Sequence, residues 1–361
     1  MNNRLYLDLH VLQTVPPSCV NRDDTGSPKT AVYGGATRAR VSSQAWKRAI
    51  RLMFEDILPS DKVGQRTKKI VEMVAEEIAA LAPNSDADPV ELAEKALKDA
   101  KVEVAPGKGK DIAEAKALFF ISRAQARALA ALAVEGCDDK ARLQNALNAA
   151  PSVDMALFGR MVASDPTLNC DAAAQVAHSI STHRVQNEYD YFTAIDDRAP
   201  EDNAGAGHLG TVEYNSSTLY RYATVNVREL AKHLGREDAV CAVRAFAEAF
   251  IRSMPTGKQN TFANRTLPDA VYAALRTDQP VNLCGAFERA VPPSPDGYVA
   301  ASKDRLVRHA QQLYEDFAGE PLAAFSVGKG LERLAEPRPL PEMLEALAQA
   351  VSRLLDETEV S

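Results

Sequence analysis

The sequence has few cysteines, no long apolar run and no excess of positive charge, and each shortage excludes a class of protein. Its five cysteines lie far apart and never form a C-x-x-C pair, so we expect reduced thiols in a reducing compartment. The first apolar run, Leu5 to Leu12, is interrupted by Asp8 and His10. It is too short for a signal sequence or a membrane span, which predicts a cytoplasmic protein. The net charge of -7 excludes a generally basic nucleic-acid coat protein, so any nucleic-acid site must be local.

Signatures of catalysis, metal binding and nucleotide binding are also missing. The sequence has no G-x-S-x-G motif and no local Cys–His signature. His178 and His183 are not spaced to share a helix face, so they predict no zinc site. The lysines of Pro106 to Lys110 lack the Walker spacing and predict a flexible connector. Gly205 to Gly210 has the dinucleotide spacing, but the alternating Thr218 to Val227 follows it as a strand, so we interpret the glycines as part of a mobile hairpin.

One stretch, Thr37 to Phe54, is predicted to place two different faces on one helix. Apolar side chains recur at helical spacing on one face, and polar and basic side chains recur on the other. Either Ser42 or Ser43 is expected to cap the first turn by accepting a backbone N–H. The apolar set is Trp46, Ala49, Ile50, Met53 and Phe54, and the polar set is Gln44, Lys47, Arg48 and Arg51.

This stretch lacks negative charge. Six basic residues and no acidic residue lie between Thr25 and Phe54, whereas a solvated helix face normally carries charges of both signs. The charges indicate either a solvated face whose carboxylate partners lie elsewhere in the fold, or a surface for an external anion. Basic groups beside the uncharged Thr37, Ser42 and Gln44 favour the second interpretation, a surface that holds a sugar–phosphate backbone.

The order of the predicted elements indicates an α+β fold. Arg4 to Leu12 alternates as a half-buried strand, with Asp8 and His10 on its polar face. A long loop from Ser18 to Gly35 and the basic helix follow, which is how an RRM-like (ferredoxin-like) sandwich begins. Residues 61–150 are rich in alanine and in helical periods, which predicts an inserted helical subdomain. Helices are predicted over 67–81, 90–101, 111–134, 140–149, 171–182, 229–253, 269–277, 299–315 and 341–355.

Short segments between the N-terminus and about Val227 carry a family resemblance. They are 17–24 (PSCVNRDD), 32–35 (VYGG), 40–44 (RVSSQ) with Lys47 and Arg48, 159–161 (GRM), His183, 192–197 (FTAIDD), 208–211 (HLGT) and 220–223 (YRYA). Together these segments resemble the CasC family, the backbone subunits of the type I-E CRISPR surveillance complex Cascade, which belongs to the Cas-seven superfamily. The helical insertion and the last third of the chain are less distinctive.

The resemblance implies a right-hand shape, with an RRM-like palm, an inserted helical fingers subdomain and a thumb β-hairpin. The corresponding boundaries are palm 1–59, fingers 60–180, palm 181–189, thumb 190–223 and palm 224–361 with a closing C-terminal helix. It also implies that copies stack along a crRNA, hold its backbone without sequence preference and present its bases to target DNA. The implied partners are crRNA, target DNA through the guide, further copies in a helical filament, and the large, small, five-prime-end cap and crRNA-processing subunits.

The resemblance further implies which residues contact the RNA. On the palm, the implied guide contacts and their close neighbours are Asn21, Arg22, Lys29, Arg38, Arg40, Ser42, Gln44, Lys47, Arg48 and Arg51. The fingers contribute Arg160 and Met161, and the thumb contributes His208, Leu209 and Thr211. Met161 and Leu209 are apolar, and apolar side chains can wedge between nucleotides and unstack a strand. Ordinary core packing is the alternative for each of these two.

A second hypothesis keeps the scaffold and adds catalysis. Related backbone subunits of type III complexes cut target RNA with an Asp in the loop after the first strand, and Asp23 and Asp24 lie in that loop. Metal-assisted cleavage requires carboxylates aimed at the scissile phosphate, whereas two acids beside Arg22 also fit an ion-paired loop. We therefore predict a non-catalytic subunit without a metal or cofactor, with a metal-dependent endoribonuclease as the alternative.

Overall fold

A computed structural model describes residues 4–107, 112–194, 198 and 208–357. Its strands, in chain order, are β1 Tyr6–Ser18, β2 Thr30–Tyr33, β3 Ala36–Val41, β4 Gln65–Thr67, β5 Val104–Ala105, β6 Glu114–Ala115, β7 Phe119–Ile121, β8 Ala174–Val176, β9 Ser179–Ser181, β10 Glu188–Ala194, β11 His208–Asn226, β12 Ala270–Arg276 and β13 Ala323–Val327. Its α-helices are α1 Ser43–Ile57, α2 Ile70–Leu81, α3 Pro89–Asp99, α4 Arg123–Val134, α5 Lys140–Asn148, α6 Val153–Phe158, α7 Val227–Leu234, α8 Arg236–Arg252, α9 Gln259–Phe262, α10 Val299–Leu313 and α11 Leu340–Asp356.

The chain forms two compact units. The first consists of Met1–Met53, Val176–Thr224 and Phe246–Ser361, and the second consists of Phe54–Gln175 and Val225–Ala245. The second unit is mostly helical, and its core is formed by apolar side chains of α2, α3, α4 and α5. The sequence-based boundaries assign residues 225–245 to the palm, whereas the structure packs them with the helical unit.

A mixed fold with an antiparallel sheet is confirmed for the first unit. The strand order is β13-β12-β1-β11-β9-β3-β2, and β10 pairs with β11 outside this path. The pairings β13–β12, β12–β1, β11–β9, β9–β3, β3–β2 and β10–β11 are antiparallel. Because β1 lies between β12 and β11, the first predicted strand is an interior strand of the sheet. The RRM-like description of this unit stays a prediction.

The prediction that one face of β1 is exposed to solvent is wrong, because both faces of the strand are buried. Asp8 and His10 are each 1% exposed. The Asp8 carboxylate accepts hydrogen bonds from the Tyr222 hydroxyl and the Val281 N–H, each at 2.8 Å, and His10 Nδ1 lies 2.8 Å from the Tyr220 hydroxyl. A core that includes side chains of β11, β12 and α10 covers this face, so both polar residues are buried, each with at least one hydrogen-bond partner.

Asp8 and His10 act in opposite directions on stability as the pH changes. Burial raises the pKa of Asp8 to about 6, and burial, followed by the charge of Arg276, lowers the pKa of His10 to about 3. Below its ordinary pKa, His10 gains a proton only when the chain unfolds, so acidification destabilises the fold through His10. Folded Asp8 gains its proton first, so acidification from pH 6 toward pH 4 stabilises the fold through Asp8.

We expect the stability advantage of the natural chain over a His10→Asn variant to shrink by about 2 kcal/mol between about pH 7 and pH 5. The variant no longer has the group that charges on unfolding, so only the Asp8 contribution remains. Urea unfolding at intermediate pH values measures the difference. An Asp8→Asn variant is the control, because it should change the pH slope in the opposite direction. A pH-independent difference between the natural chain and His10→Asn would contradict the prediction.

Several helices are confirmed, and two predicted helices are strands. The structure places α2, α3, α5, α10 and α11 within a few residues of their predicted positions. The predicted helix at 269–277 is instead β12, in which every residue is buried. The predicted helix at 171–182 contains β8 and β9, and the predicted loop at 18–35 contains β2. A strand buried on both faces has no alternating pattern of apolar and polar residues. A short apolar run therefore does not show whether the segment forms a strand or a helix.

Two expectations from composition can be compared with the structure. All five cysteines are free thiols. Within residues 4–107, 112–194, 198 and 208–357, no helix is both long and apolar enough to span a bilayer.

Candidate nucleic-acid interface

The start of α1 is fixed by Ser42 and Asn21. The Ser42 hydroxyl accepts a hydrogen bond from the Ala45 N–H at 3.3 Å, which confirms the predicted cap at Ser42. The Ser42 N–H donates to Asn21 Oδ1 at 2.9 Å. These contacts hold the first turn of α1 against the loop that follows β1, so Asn21 and Ser42 position other groups on this surface.

The two predicted faces of α1 are confirmed. Trp46, Ile50 and Phe54 are fully buried, while Gln44 and Arg48 are exposed. Lys47 and Arg51 are half-buried, and both make contacts within the chain. We call this set of residues the loop–helix surface: Arg22, Lys29, Arg40, Gln44, Lys47, Arg48 and Arg51.

The helix is anchored through its tryptophan. Trp46 Nε1 donates to the Ser179 hydroxyl at 2.9 Å, and the Arg221 guanidinium lies 3.7 Å from the centroid of the indole ring. Arg221 also donates to Gln13 Oε1 at 2.6 Å. Because this buried arginine contacts the ring from inside the unit, α1 has a fixed rotation about its axis. The fixed rotation presents Gln44 and Arg48 to solvent.

The loop after β1 is closed by Asp23. Its Oδ1 accepts hydrogen bonds from the Thr25 hydroxyl at 2.7 Å and from the N–H groups of Thr25 and Ser27 at 3.0 Å each. The hydrogen bond from the Thr25 hydroxyl contributes most to lowering the pKa of Asp23. The loop is also tied at its ends, because the Lys29 N–H donates to the Asn21 carbonyl at 2.8 Å. One carboxylate oxygen of Asp23 therefore organises its own loop, beside the exposed Arg22.

The structure places Arg40 at the junction between this loop and α1. Its Nε donates to the Thr30 carbonyl at 3.2 Å, and its Nη1 lies 3.3 Å from His178 Nδ1. The Ser43 N–H also donates to His178 Nδ1 at 3.3 Å. Burial and the charges of Arg40 and Lys29 lower the pKa of His178, so the imidazole is neutral and accepts. Sequence reasoning missed His178 because its predicted helix is a pair of strands.

The structure does not place Arg38 on the surface that is predicted to contact RNA. It is fully buried, and burial lowers its pKa. Its guanidinium donates to the carbonyls of Ser181 and Phe287 at 2.9 Å each, of Glu288 at 3.2 Å and of Tyr33 at 3.3 Å. These hydrogen bonds hold the guanidinium inside the fold, so it does not present its charge to a ligand.

Arg160, in the helical unit, requires the same correction. It is 4% exposed, and burial lowers its pKa to about 10. Its guanidinium donates to the carbonyls of Leu168, Leu147 and Phe120 at 2.8, 3.0 and 3.2 Å and to Asn148 Oδ1 at 2.8 Å. The adjacent Met161 is 85% exposed, so only Met161 of this predicted pair is available for a ligand.

The glycine pair of the VYGG segment forms the β2–β3 turn. Gly34 and Gly35 have φ values of 56° and 71°, which other residues rarely adopt. A Cβ on Gly34 would lie 1.6 Å from the Glu288 carbonyl oxygen. Only glycine allows the hairpin to approach that backbone, and Glu288 is one of the residues whose carbonyls bind Arg38.

In the region of the predicted thumb, β10 and the first part of β11 pair as an arm, and the thumb assignment stays a prediction. Residues 188–194 pair with residues 208–214, and β11 then continues to Asn226 within the sheet. All of β10 is exposed. Tyr189, Tyr191 and Leu209 lie on one face of the arm and are 67%, 66% and 56% exposed. Thr211 is exposed as well. The His208 backbone pairs with Ala194, and residues 199–207 lie outside the described residues.

The described part of the chain contains no candidate metal site. Among the described residues, no three His, Cys, Asp or Glu side chains are arranged to hold a metal ion. The loop–helix surface is instead a set of cations and one amide on consecutive elements, joined by the contacts of Asn21, Ser42 and His178. Such a set can hold phosphate oxygens and hydroxyl groups without reading base edges.

Comparisons with known proteins identify the family of the chain. The chain is similar to one solved within a "CRISPR RNA-guided surveillance complex, pre-nicking", with 32% identity, a TM-score of 0.81, and coverage of 96% of this chain and 100% of that chain. A chain of another "CRISPR RNA-guided surveillance complex" has 30% identity and a TM-score of 0.63, with coverage of 96% and 99%. No curated protein sequence matches significantly. The model of the CT1975-like protein family matches residues 7–350, and the chain therefore belongs to the CT1975-like protein family.

Proposed function

We propose that this protein is a non-catalytic backbone subunit of a type I-E CRISPR surveillance complex. Several copies would lie along one crRNA, bind its backbone without sequence preference and present its bases to target DNA. The observation that carries the proposal is the likeness, over 96% of this chain, to a chain of an RNA-guided surveillance complex. The loop–helix surface supports it independently, because it offers several cations on an otherwise acidic chain.

In this proposal the loop–helix surface holds the guide backbone. The cations of Arg22, Lys29, Arg40, Lys47, Arg48 and Arg51 contact phosphates, and Gln44 bonds to a phosphate or a 2′-hydroxyl. Asn21 and Ser42 act through the positions of α1 and its loop. Arg38 and Arg160 are not included, because carbonyl groups already occupy their guanidinium groups. A protein that must accept any guide sequence benefits from leaving the base edges free for pairing.

The arm and Met161 have a different role in the proposal. Exposed apolar side chains on an arm are unfavourable in water unless a partner covers them. We assign the arm, with His208, Leu209 and Thr211, to contact between a neighbouring copy and the guide at the points where the strand is bent. Met161 offers a second exposed apolar side chain that could separate adjacent bases.

Catalysis is not part of the proposal. The alternative nuclease requires Asp23 or Asp24 to direct a metal ion at a phosphate. Asp23 Oδ1 already accepts three hydrogen bonds from its own loop, and no observation on Asp24 favours that chemistry.

The proposal is tested by purifying the tagged chain with the other subunits of its complex from cells that express a CRISPR array. We expect RNA of one uniform length to copurify, because the stacked copies protect a fixed stretch of guide. Cells without the array provide the control. Nucleic acid of random length in both preparations, or protein free of RNA, would contradict the proposed function.

A further inference from the structure

A short segment far along the chain has unusual backbone geometry. Residues 255–265 contain the one-turn helix α9, and a non-glycine residue with positive φ stands at each end of it. Lys258 has a φ of 52° and Ala263 a φ of 48°. Such conformations cost free energy and persist where the surroundings hold them in place, which is common at binding sites.

One end of the segment is packed against the loop after β1. A Cβ on Gly257 would lie 2.0 Å from the Val20 carbonyl oxygen and 3.0 Å from the Cys19 carbonyl oxygen, so the two backbones touch and only glycine fits. The buried Asn264 donates from Nδ2 to the Gly257 carbonyl at 3.4 Å. This contact places Lys258 beside the loop that carries Asn21 and Arg22.

The other end of the segment faces the base of the arm. The Phe262 ring lies 5.8 Å from the Tyr214 ring, and Tyr214 pairs with Glu188, the first residue of β10. The segment therefore connects the loop of the loop–helix surface with the arm. Both elements are assigned to the guide in the proposed function, so a strand that passes from one to the other passes this segment.

Between the loop and the arm, the segment carries the positive charge of Lys258 and the amide groups of Gln259 and Asn260. Within the described residues, the Lys258 ammonium has no hydrogen-bond or ion-pair partner, and Gln259 and Asn260 are exposed. Arg22 and Lys258 both lie near the Cys19 thiol. Burial raises the pKa of Cys19, and the charges of Arg22 and then Lys258 oppose that shift, while Asp23 and Glu213 add to it.

From this juxtaposition we infer that Lys258 and Gln259 form a second part of the RNA-binding surface, with the ammonium on a phosphate and the amide on a phosphate or 2′-hydroxyl. The inference rests on the proposed function and adds two contacts to it. Neither residue lies in the segments that resemble the CasC family.

The test uses the purified full chain and a fluorescent single-stranded RNA of mixed sequence, with binding measured by anisotropy over a range of salt concentrations. Loss of one phosphate contact should reduce the slope of log K against log salt by about 0.7 and weaken binding about fourfold near physiological salt. We expect this result for Lys258→Gln and the natural slope for Lys258→Arg. Gln259→Ala should weaken binding about fivefold without changing the slope, since it removes a neutral hydrogen bond.

The control is Lys329→Gln, an exposed lysine on the same unit, which should leave binding unchanged. Thermal unfolding of each variant verifies that it is folded. The inference is overturned if Lys258→Gln binds like the natural chain, or if Lys329→Gln has the same effect. The variant Arg48→Ala distinguishes failure of this inference from failure of the proposed function. If Arg48→Ala weakens binding and Lys258→Gln has no effect, only this inference is rejected. If neither variant has an effect, the whole proposed RNA-binding surface is rejected.

Discussion

Replacing Lys47, Arg48 and Arg51 together by alanine is expected to weaken RNA binding about 50-fold near physiological salt. Each phosphate contact to a single strand contributes about 0.7 to the slope of log K against log salt. Losing three contacts should therefore reduce the slope by about 2. The effect should be the same for guides of different sequence, because in the proposed function these side chains hold the backbone and leave the base edges free. Binding measured over a salt series with two unrelated RNA sequences gives both quantities.

A matched variant controls for the change in net charge. Arg308, Lys329 and Arg333 are exposed cations elsewhere on the same unit, and their replacement by alanine removes the same charge. We expect that variant to change the slope little. Lys47 and Arg51 also have contacts within the chain, so thermal unfolding must be compared for both triple variants. Equal losses of RNA affinity in the two triple variants would mean that α1 is not a specific RNA-binding site.

Replacing Arg38 by alanine is expected to lower the free energy of unfolding by about 4 kcal/mol. The substitution leaves the carbonyls of Tyr33, Ser181, Phe287 and Glu288 without this donor inside the fold. Buried acceptors that lose their partner retain the cost of having left water. The melting temperature should fall by about 10 °C for a unit of this size.

Arg48→Ala provides the comparison, because it removes the same side chain from an exposed position nearby in the sequence. We expect Arg48→Ala to weaken RNA binding without a measurable change in melting temperature, and Arg38→Ala to show the reverse at temperatures where it remains folded. Calorimetry and RNA binding on the same preparations measure both effects. An Arg38→Ala variant that melts like the natural chain would contradict the assignment of Arg38 to the interior.

The contrast between Arg38 and Arg48 shows what the sequence can predict. The period of 3.6 residues separates the two faces of α1, so burial of Trp46 and exposure of Arg48 follow from the pattern. Arg38 belongs to the same run of positive charge, yet it lies on an interior strand, and charge alone does not say which way a strand side chain points. The predicted exposure of Asp8 and His10 is wrong for a related reason, since the pattern of β1 does not reveal that a second layer covers its polar face.

Other features depend on contacts between distant parts of the chain. Gly257 fits against Val20 only after β1 and the segment around α9 have come together, so nothing local in the sequence links Lys258 to the loop–helix surface. The strand β12 illustrates the same limit, because its alanine-rich run fits a helix until the neighbouring strands are known. The chemistry of single elements could therefore be predicted, whereas their combination required the fold.

The continuity of β11 has a mechanical consequence. This strand of 19 residues spans about 60 Å if fully extended, and it passes from the tip of the arm to Tyr220 and Tyr222, which touch His10 and Asp8 in the centre of the sheet. Because β11 is continuous, no flexible connection separates the arm from the sheet along this strand. The arm therefore moves as a rigid extension of the sheet and not as a flexible loop. A force that a neighbouring molecule applies to the end of the arm would be transmitted as a twist to the middle of the sheet.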